Sequence, residues 1–415
     1  MSSSLDLSID AHLSAPPTTR LPEVNRSVVA LSATLLLVGT AWLAQAFSWR
    51  QGVLFLVGGA AGISLYHALF GFTSAWRVFL ADRRGAGLRA QMLMLALAVL
   101  VFFPLLAHGS VFGLPVKGEF GAVGVSVLAG AFLFGVGMQL GGGCASGTLF
   151  TVGGGNARMV VTLAAFVAGS AIGAYHLSWW QATPNLGPIS LIATFGWLPA
   201  LALSLTFFGA VAWLSLVLER RRHGALATPP VASGSLGRRL LRGPWPLVWG
   251  AIALVLVNLA TLLLAGRPWG VTSAFALWGS KLAAIGGFDV GSWDYWSSPA
   301  RAASLHASVF SDITSVMDFG IILGAMVAAG LAGKFSPTWR IPARSLIAAI
   351  VGGLAMGYGA RLAYGCNIGA YFSGIASSSL HGWLWFAAAL AGSYAGTKAR
   401  PFFGLTVERT RNTGC

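Results

Sequence analysis

Ten stretches of about twenty predominantly apolar residues recur along the chain, and no other feature restricts its fold as strongly. They lie near 28–47, 52–70, 89–107, 121–141, 157–175, 192–217, 246–266, 317–333, 345–363 and 382–398. A helix rising about 1.5 Å per residue needs roughly twenty such residues to cross a hydrocarbon core about 30 Å thick. Only 9% of the 415 residues are charged and 56% are hydrophobic, which leaves too little polarity to cover a water-soluble globule. The chain therefore reads as an all-α integral membrane protein with about ten transmembrane helices. Its net charge of +15 would suit a nucleic-acid partner if the basic residues shared an amphipathic face. They fall between the apolar runs instead, so the expected partner is the lipid bilayer and no nucleic acid is expected.

Lys and Arg are retained in cytoplasmic loops, and this sets the expected orientation. With the N-terminus inside, 20 of the 26 basic residues fall on the cytoplasmic side, leaving Arg50, Lys117, Arg267, Lys281, Arg301 and Arg361 outside. An even number of spans with both termini cytoplasmic satisfies that count, as a multi-pass protein of the cell's inner membrane would. Residues 1–27 are polar and lack the basic-then-apolar order of a signal peptide, so they read as a disordered cytoplasmic tail. The membrane halves are expected at 28–217 and 246–400, joined by an Arg-rich cytoplasmic linker at 218–245 and followed by a cytoplasmic tail at 401–415. The segment 267–316 reads as a long outer loop, and its aromatic run GSWDYWSSPARAASLHASVF suits an interfacial helix equally well.

Two short motifs occur twice. GFTSAW at 71–76 returns as GVTSAF at 270–275, and GMQLGGGCASG at 137–147 aligns with GARLAYGCNIG at 359–369. Cys144 thus pairs with Cys366, and Gln139 with Arg361. Motif, span, span, cysteine motif, span is the order both times, which is stronger than either short match alone. Five spans separate the repeats, and an odd offset inverts the second half. Inverted-topology repeats place transporter sites near the midplane on interrupted helices, so the glycine-rich cysteine segments are expected to re-enter the membrane.

The stretch 135–155 holds nine glycines around Cys144, and Gly143 and Gly365 immediately precede the two thiols. Glycine permits close backbone approach and left-handed turns. A helix starting after such a turn directs unpaired N–H groups at an anion. A thiol adds a soft, polarizable group suited to sulfur or selenium ligands. The opposing reading is that Gly-Cys segments merely pack helices together. Recurrence at equivalent positions favours a substrate pathway comprising Cys144, Cys366, Arg361, Gln139, Gly143, Gly365, Asn367, Thr73 and Thr272. Arg361 either serves that pathway or snorkels to the interface. Lys281 stands at the outer mouth as an anion attractor or a solvated loop charge. Thr73, Ser74, Thr272 and Ser273 offer hydroxyls to substrate or to their own helix turns. Asn156 and Asn367 flank the glycine segments. Asp318 reads as a helix N-terminal charge. His67, His108, His176, His306 and His381 show no metal-ligand spacing and read as interfacial. Cys415 lies in a polar tail without an assigned role. No metal site, cofactor or ATP-binding loop is expected, so energy would come from gradients or trapping.

The motifs GGGCASG, GVTSAFALWGSK and GYGARLAYGCNIGAYFSGIASSSLHGW, with the duplicated layout from about residue 50 to 400, resemble the YeeE/YedE sulfur-transport family of bacterial inner-membrane proteins. That resemblance implies an hourglass-shaped permease whose re-entrant loops relay thiosulfate inward through S–H···S hydrogen bonds. Cys144 and Cys366 are the matching positions. It also implies a small sulfur-carrier protein on the cytoplasmic side. Thiosulfate-importing members carry a further cysteine where this chain has Gly71, and other members are associated with selenium compounds. Three alternatives to a thiosulfate permease therefore stay open: a selenium-compound transporter of the same fold, a membrane-embedded persulfide sulfurtransferase, and a passive channel.

Overall fold

A computed structural model describes residues 22–227, 235–337 and 339–407. Most of the expected N-terminal tail, part of the 218–245 linker and Cys415 lie outside the described residues. Helix starts follow from local capping. Asn25, Ser48, Asn156 and Asp312 accept backbone N–H bonds from Val28, Gln51, Met159 and Ser315 at 2.8–3.2 Å. The first half contains α1 (Arg26–Ala46), α2 (Trp49–Ala68), α3 (Phe72–Asp82), α4 (Ala86–His108), α5 (Val125–Gly141), α6 (Ala145–Gly153) and α7 (Ala157–Tyr175). Two short helices, α8 (Leu177–Gln181) and α9 (Leu191–Phe195), lead to α10 (Trp197–His223), and α11 (Leu236–Arg242) lies in the linker. The second half contains α12 (Leu247–Ala265), α13 (Thr272–Ile285), α14 (Pro299–His306), α15 (Ile313–Ala332) and α16 (Ala343–Leu362). A π-helical segment (Asn367–Ser373), α17 (Gly374–Ala376) and α18 (Leu380–Ala399) complete it. Two small antiparallel pairs, β1 (Ser110–Val111) with β2 (Leu114–Pro115) and β3 (Ala122–Gly124) with β4 (Asn185–Pro188), tie down loops.

Among the described residues nine helical stretches are long and apolar enough to cross a membrane, and they coincide with the first nine expected spans. The tenth, α18, is a helix of the expected length but is less apolar, with His381, Ser393 and Thr397 buried along it. The segment 267–316 departs from the expected loop. Residues 272–285 form α13, with Thr272, Phe275, Leu277 and Gly279 buried. At fourteen residues it spans about 21 Å, too short to register as a membrane crossing from sequence.

The helices of the two halves interleave. α2 lies along α15, α16 along α7, and α5 packs against both α16 and α18. Where α5 crosses α16 the backbones touch reciprocally. A Cβ on Gly359 would lie 2.4 Å from the Gly130 carbonyl oxygen, and a Cβ on Gly352 would lie 2.7 Å from that of Gly137. In the register that pairs Cys144 with Cys366, Gly130 matches Gly352 and Gly137 matches Gly359. A surface meeting its own equivalent is the contact pattern of a two-fold axis. Numbering rises along one helix as it falls along the other, so the equivalent helices are antiparallel.

Candidate functional site

Both cysteines occupy the first position before a helix, for the same local reason. Gly142, just after α5, has φ +95°, and Tyr364, at the equivalent place after α16, has φ +60°. These left-handed residues turn the chain sharply, and a non-glycine residue there is uncommon and strained. Gly365 then takes φ +147°, a conformation open only to glycine. The chain emerges extended at Cys144 and Cys366, which open α6 and the π-helical segment. The Thr148 N–H donates to the Cys144 carbonyl at 2.7 Å, and the Ala370 N–H to that of Cys366 at 2.9 Å. The turn before Cys144 is clamped by Arg158, which donates to the carbonyls of Leu140 and Gly141 at 2.7 and 2.6 Å. From sequence alone Arg158 reads only as one of the cytoplasmic-side cations. The turn before Cys366 is held by the Trp385 indole, which donates to the Gly365 carbonyl at 3.2 Å.

Neither thiol is in a disulfide and both are enclosed, Cys144 with 2% of its surface exposed and Cys366 with none. Cys144 Sγ lies 3.5 Å from Ser146 Oγ, and Cys366 Sγ accepts the Ile368 N–H at 3.4 Å. A Cβ on Gly147 would sit 3.4 Å from the Cys144 sulfur, so glycine leaves that side of the thiol uncrowded. Gly143 is buried against Gly147 and Met159. Asn367, beside Cys366, is fully buried, and neither its amide oxygen nor its nitrogen has a hydrogen-bond partner. Such a group is costly unless a ligand or water completes it.

The paired motifs meet in each half. Gln139 Nε2 donates to the Thr73 carbonyl at 3.1 Å and its Oε1 accepts from Arg77 at 3.3 Å. At the equivalent place Arg361 Nη2 donates to Thr272 Oγ1 at 2.9 Å, and Nη1 donates to Tyr295 Oη at 3.0 Å. Arg361 is only 9% exposed and faces a cavity, so it does not snorkel to the interface. Thr73 is buried with its hydroxyl unpartnered.

That cavity, about 290 Å³, forms a basic vestibule. Its walls include Arg267, Arg301, Arg361, Glu119 and Thr272, and Gly365 and Gly369 around the Cys366 turn form part of its lining. Burial pushes the Glu119 carboxyl above the usual carboxylate range, against the pull of Arg267, Arg361 and Arg301. A second cavity of about 210 Å³ borders the first TSA motif and is lined by Gly71, Ser74, Arg84 and Gln91. The vestibule lies where α12 ends and the second cavity where it begins, so about 28 Å of helix separates them. Between them Tyr371 stacks on Phe386 at 5.0 Å and meets Trp76 edge-on at 5.8 Å. The Trp76 indole in turn donates to Gln91 at 2.7 Å.

Several other expectations change. Lys281 does not line the vestibule; its ammonium is bonded to the Leu305 and Ala307 carbonyls. Ser74 bonds its own turn at Gly71, whereas Ser273 reaches Thr314 at 3.0 Å. Asn156 caps α7. Asp318 is not at a helix N-terminus: Asp312 caps α15, and Asp318 lies one and a half turns inside it. His67 and His381 are buried rather than interfacial. Tyr295, Arg301 and Glu119 do not stand out in the sequence because they reach the vestibule from outside the apolar spans, Glu119 from the loop before β3, Tyr295 from the turn before α14 and Arg301 from α14.

The family described as "Sulphur transport" matches residues 67–395 of this chain. The thiosulfate transporter TsuA of Spirochaeta thermophila is 28% identical over 352 residues, covering 79% of this chain and 92% of TsuA. The probable transporter YedE of Escherichia coli is 32% identical over 169 residues, and that of Salmonella typhimurium is 32% identical over 150 residues. These matches span 40% and 36% of the two YedE proteins.

Proposed function

Because the chain belongs to the sulphur-transport family, we propose that it carries a small sulfur-containing anion of the thiosulfate type inward, along a pathway on which Cys366 and then Cys144 meet the substrate. It is a multi-pass membrane protein and a transporter, not an enzyme. The observation that carries the pathway is the vestibule lining: three guanidinium groups, with the carboxyls of Glu119 and Asp312, line a cavity that reaches Gly365, the residue before Cys366. Opposite charge draws a dianion into such a cleft, and guanidinium matches the geometry of its oxygens. The anion's terminal sulfur then accepts a hydrogen bond from the Cys366 thiol, and its oxygens meet the unpartnered Asn367 amide and the N–H groups that open the π-helical segment. Cys144, at the start of α6, offers the same set of groups at the next step. Antiparallel packing of α5 on α16 supports two inverted repeats with the cysteine segments entering from opposite faces. The excess of Arg and Lys puts both termini and the second cavity on the cytoplasmic side of a bacterial inner membrane. A soluble sulfur carrier would collect the cargo there.

Uptake of radiolabelled thiosulfate into proteoliposomes tests this reading. Cys144→Ala and Cys366→Ala are each expected to cut the rate sharply while Cys415→Ala leaves it unchanged. Wild-type rates in both alanine variants would remove the thiols from the mechanism. Competition by unlabelled selenium oxyanions, with sulfate as comparison, tells a sulfur preference from a selenium one.

A further inference from the structure

Asp318 takes part in none of the contacts described so far. It is fully buried in α15, and neither carboxyl oxygen has a hydrogen-bond partner. An unpaired carboxylate in such surroundings is far more costly than the neutral acid, and an ionisable group at membrane depth is a functional candidate by default. Its position links it to the pathway on two sides. α15 packs against α6, the helix that Cys144 opens, and against α13, which carries Thr272 of the vestibule wall. Asp318 and Cys366 also lie within electrostatic range of one another.

A polar row leads to it from the vestibule. Asp312 lines that cavity and accepts a hydrogen bond from Ser315 Oγ at 2.6 Å. Ser315 and Asp318, three residues apart, are neighbours on the helix surface. Among the described residues, no helix packed on α15 carries a cation at the depth of Asp318 itself. On α2, Arg50, Tyr66 and His67 are each about two turns away from Gly58, which packs at Met317. Arg26 of α1 and Arg242 of α11 sit at the far end of α15, the latter bonded to Leu331, and Lys281 of α13 is held by backbone carbonyls. The remaining titratable neighbours among the described residues are Asp312, Cys366 and Arg267, whose guanidinium donates to Thr314 at 3.0 Å, one turn before Asp318, without bonding the Asp318 carboxyl.

We propose that Asp318 is the proton-carrying site of the transport cycle, loaded from the vestibule along Asp312 and Ser315. This rests on the anion-import reading. Each negative charge moved toward an interior-negative side is opposed by the membrane potential, and the chain has no ATP-binding loop. A dianion therefore needs accompanying positive charge. In one half-cycle the Asp318 carboxylic acid releases its proton inward and becomes a carboxylate. In the other it takes a proton from the vestibule, and no other bond is made or broken.

The test uses proteoliposomes containing a trapped pH-sensitive dye, with labelled thiosulfate inside or outside. Wild-type protein is expected to acidify the interior when thiosulfate is added outside. Asp318→Asn is expected to lose that acidification while keeping thiosulfate–thiosulfate exchange, which needs no net proton movement; Asp318→Glu is expected to keep both. Acidification by the Asn variant at the wild-type rate overturns the proposal, as does net thiosulfate uptake by the wild type without acidification of the interior. Loss of exchange in a folded, monodisperse Asn variant also overturns it, by making Asp318 part of the anion site. A wild type that neither exchanges nor accumulates thiosulfate sinks the import reading itself, and this inference with it.

Discussion

Replacing Arg361 by Gln asks whether the vestibule binds its anion through this side chain. The substitution copies the first half, where Gln139 stands at the equivalent place and bonds the Thr73 backbone. A glutamine amide retains a donor for Thr272, so the local fold is preserved and the change falls on charge and donor number. A guanidinium has five N–H groups. Arg361 uses one on Thr272 and one on Tyr295, and Nε has no partner. Three donors thus remain for a ligand in the cavity. A hydrogen bond to a charged group contributes about 1.5–3 kcal/mol, so losing one net bond of this kind weakens binding roughly 10- to 160-fold. The assay is initial-rate uptake of labelled thiosulfate against concentration. The apparent KM is expected to rise by that factor with the maximal rate largely preserved, because capture precedes passage through the thiols. Arg361→Lys should recover only part of the affinity, since an ammonium keeps the charge without the planar fork. An unchanged KM in the Gln variant, with normal thermal stability, would refute the vestibule as the capture site and reduce Arg361 to a tie between α16 and α13.

Protonation of Glu119 makes the vestibule more positive, so anion affinity is expected to increase as pH falls; its raised carboxyl brings that change to higher pH than an ordinary glutamate would. Glu119→Gln should bind more tightly at neutral pH and lose this dependence, and a KM profile identical to wild type would exclude the group. A Cβ on Gly135 would lie 2.2 Å from the Ala389 carbonyl oxygen, a backbone atom that cannot yield. Gly135→Ala should therefore cost about 1–3 kcal/mol and lower the melting temperature in detergent, whereas Gly209→Ala, with nothing within 4 Å, should not. At Gly71 a Cβ would meet Ser74 Oγ at 2.5 Å, the end of a side chain that can rotate, and φ is −98°. Gly71→Cys is thus expected to fold, to react with a thiol reagent reaching the second cavity, and to speed thiosulfate uptake. Labelling without faster uptake would count against a missing relay thiol.

Much of the membrane architecture is legible because a full-length span leaves a twenty-residue apolar signature; α7 was expected at 157–175 and occupies those residues. Half-length helices leave no such trace, so α3 and α13 were hidden, the latter in what read as a loop. The cysteine pairing was visible because Leu, Gly and Cys recur in register, and the structure places left-handed residues at both equivalent turns. The vestibule was not visible as a cluster. Glu119, Arg267, Tyr295, Arg301 and Arg361 are spread over 243 positions of sequence, and only folding brings them to one cavity. Asp318 was misread for a smaller reason. Starting the span at 317 made it a terminal charge, whereas the capping interaction belongs to Asp312.

The two halves repeat their backbone but not their charge, and that difference carries a direction. The vestibule presents Arg267, Arg301 and Arg361 against the two carboxyls of Glu119 and Asp312. The second cavity has Arg84 as its cation, and that guanidinium is already paired with the buried Glu219 at 3.3 Å. Gln139 is neutral where Arg361 is charged, and Arg77 beside it bonds the Gln139 amide oxygen and is not among the residues lining the second cavity. On the pathway proposed above, an anion would therefore meet its strongest attraction before Cys366 and less of it beyond Cys144. Such a gradient favours capture from dilute solution at one end and release at the other, because a tight site at the exit would hold the cargo. If the proposed route holds, the similar turns before Cys144 and Cys366 supply two comparable thiol stations, and the unequal side chains around them decide which one the anion reaches first.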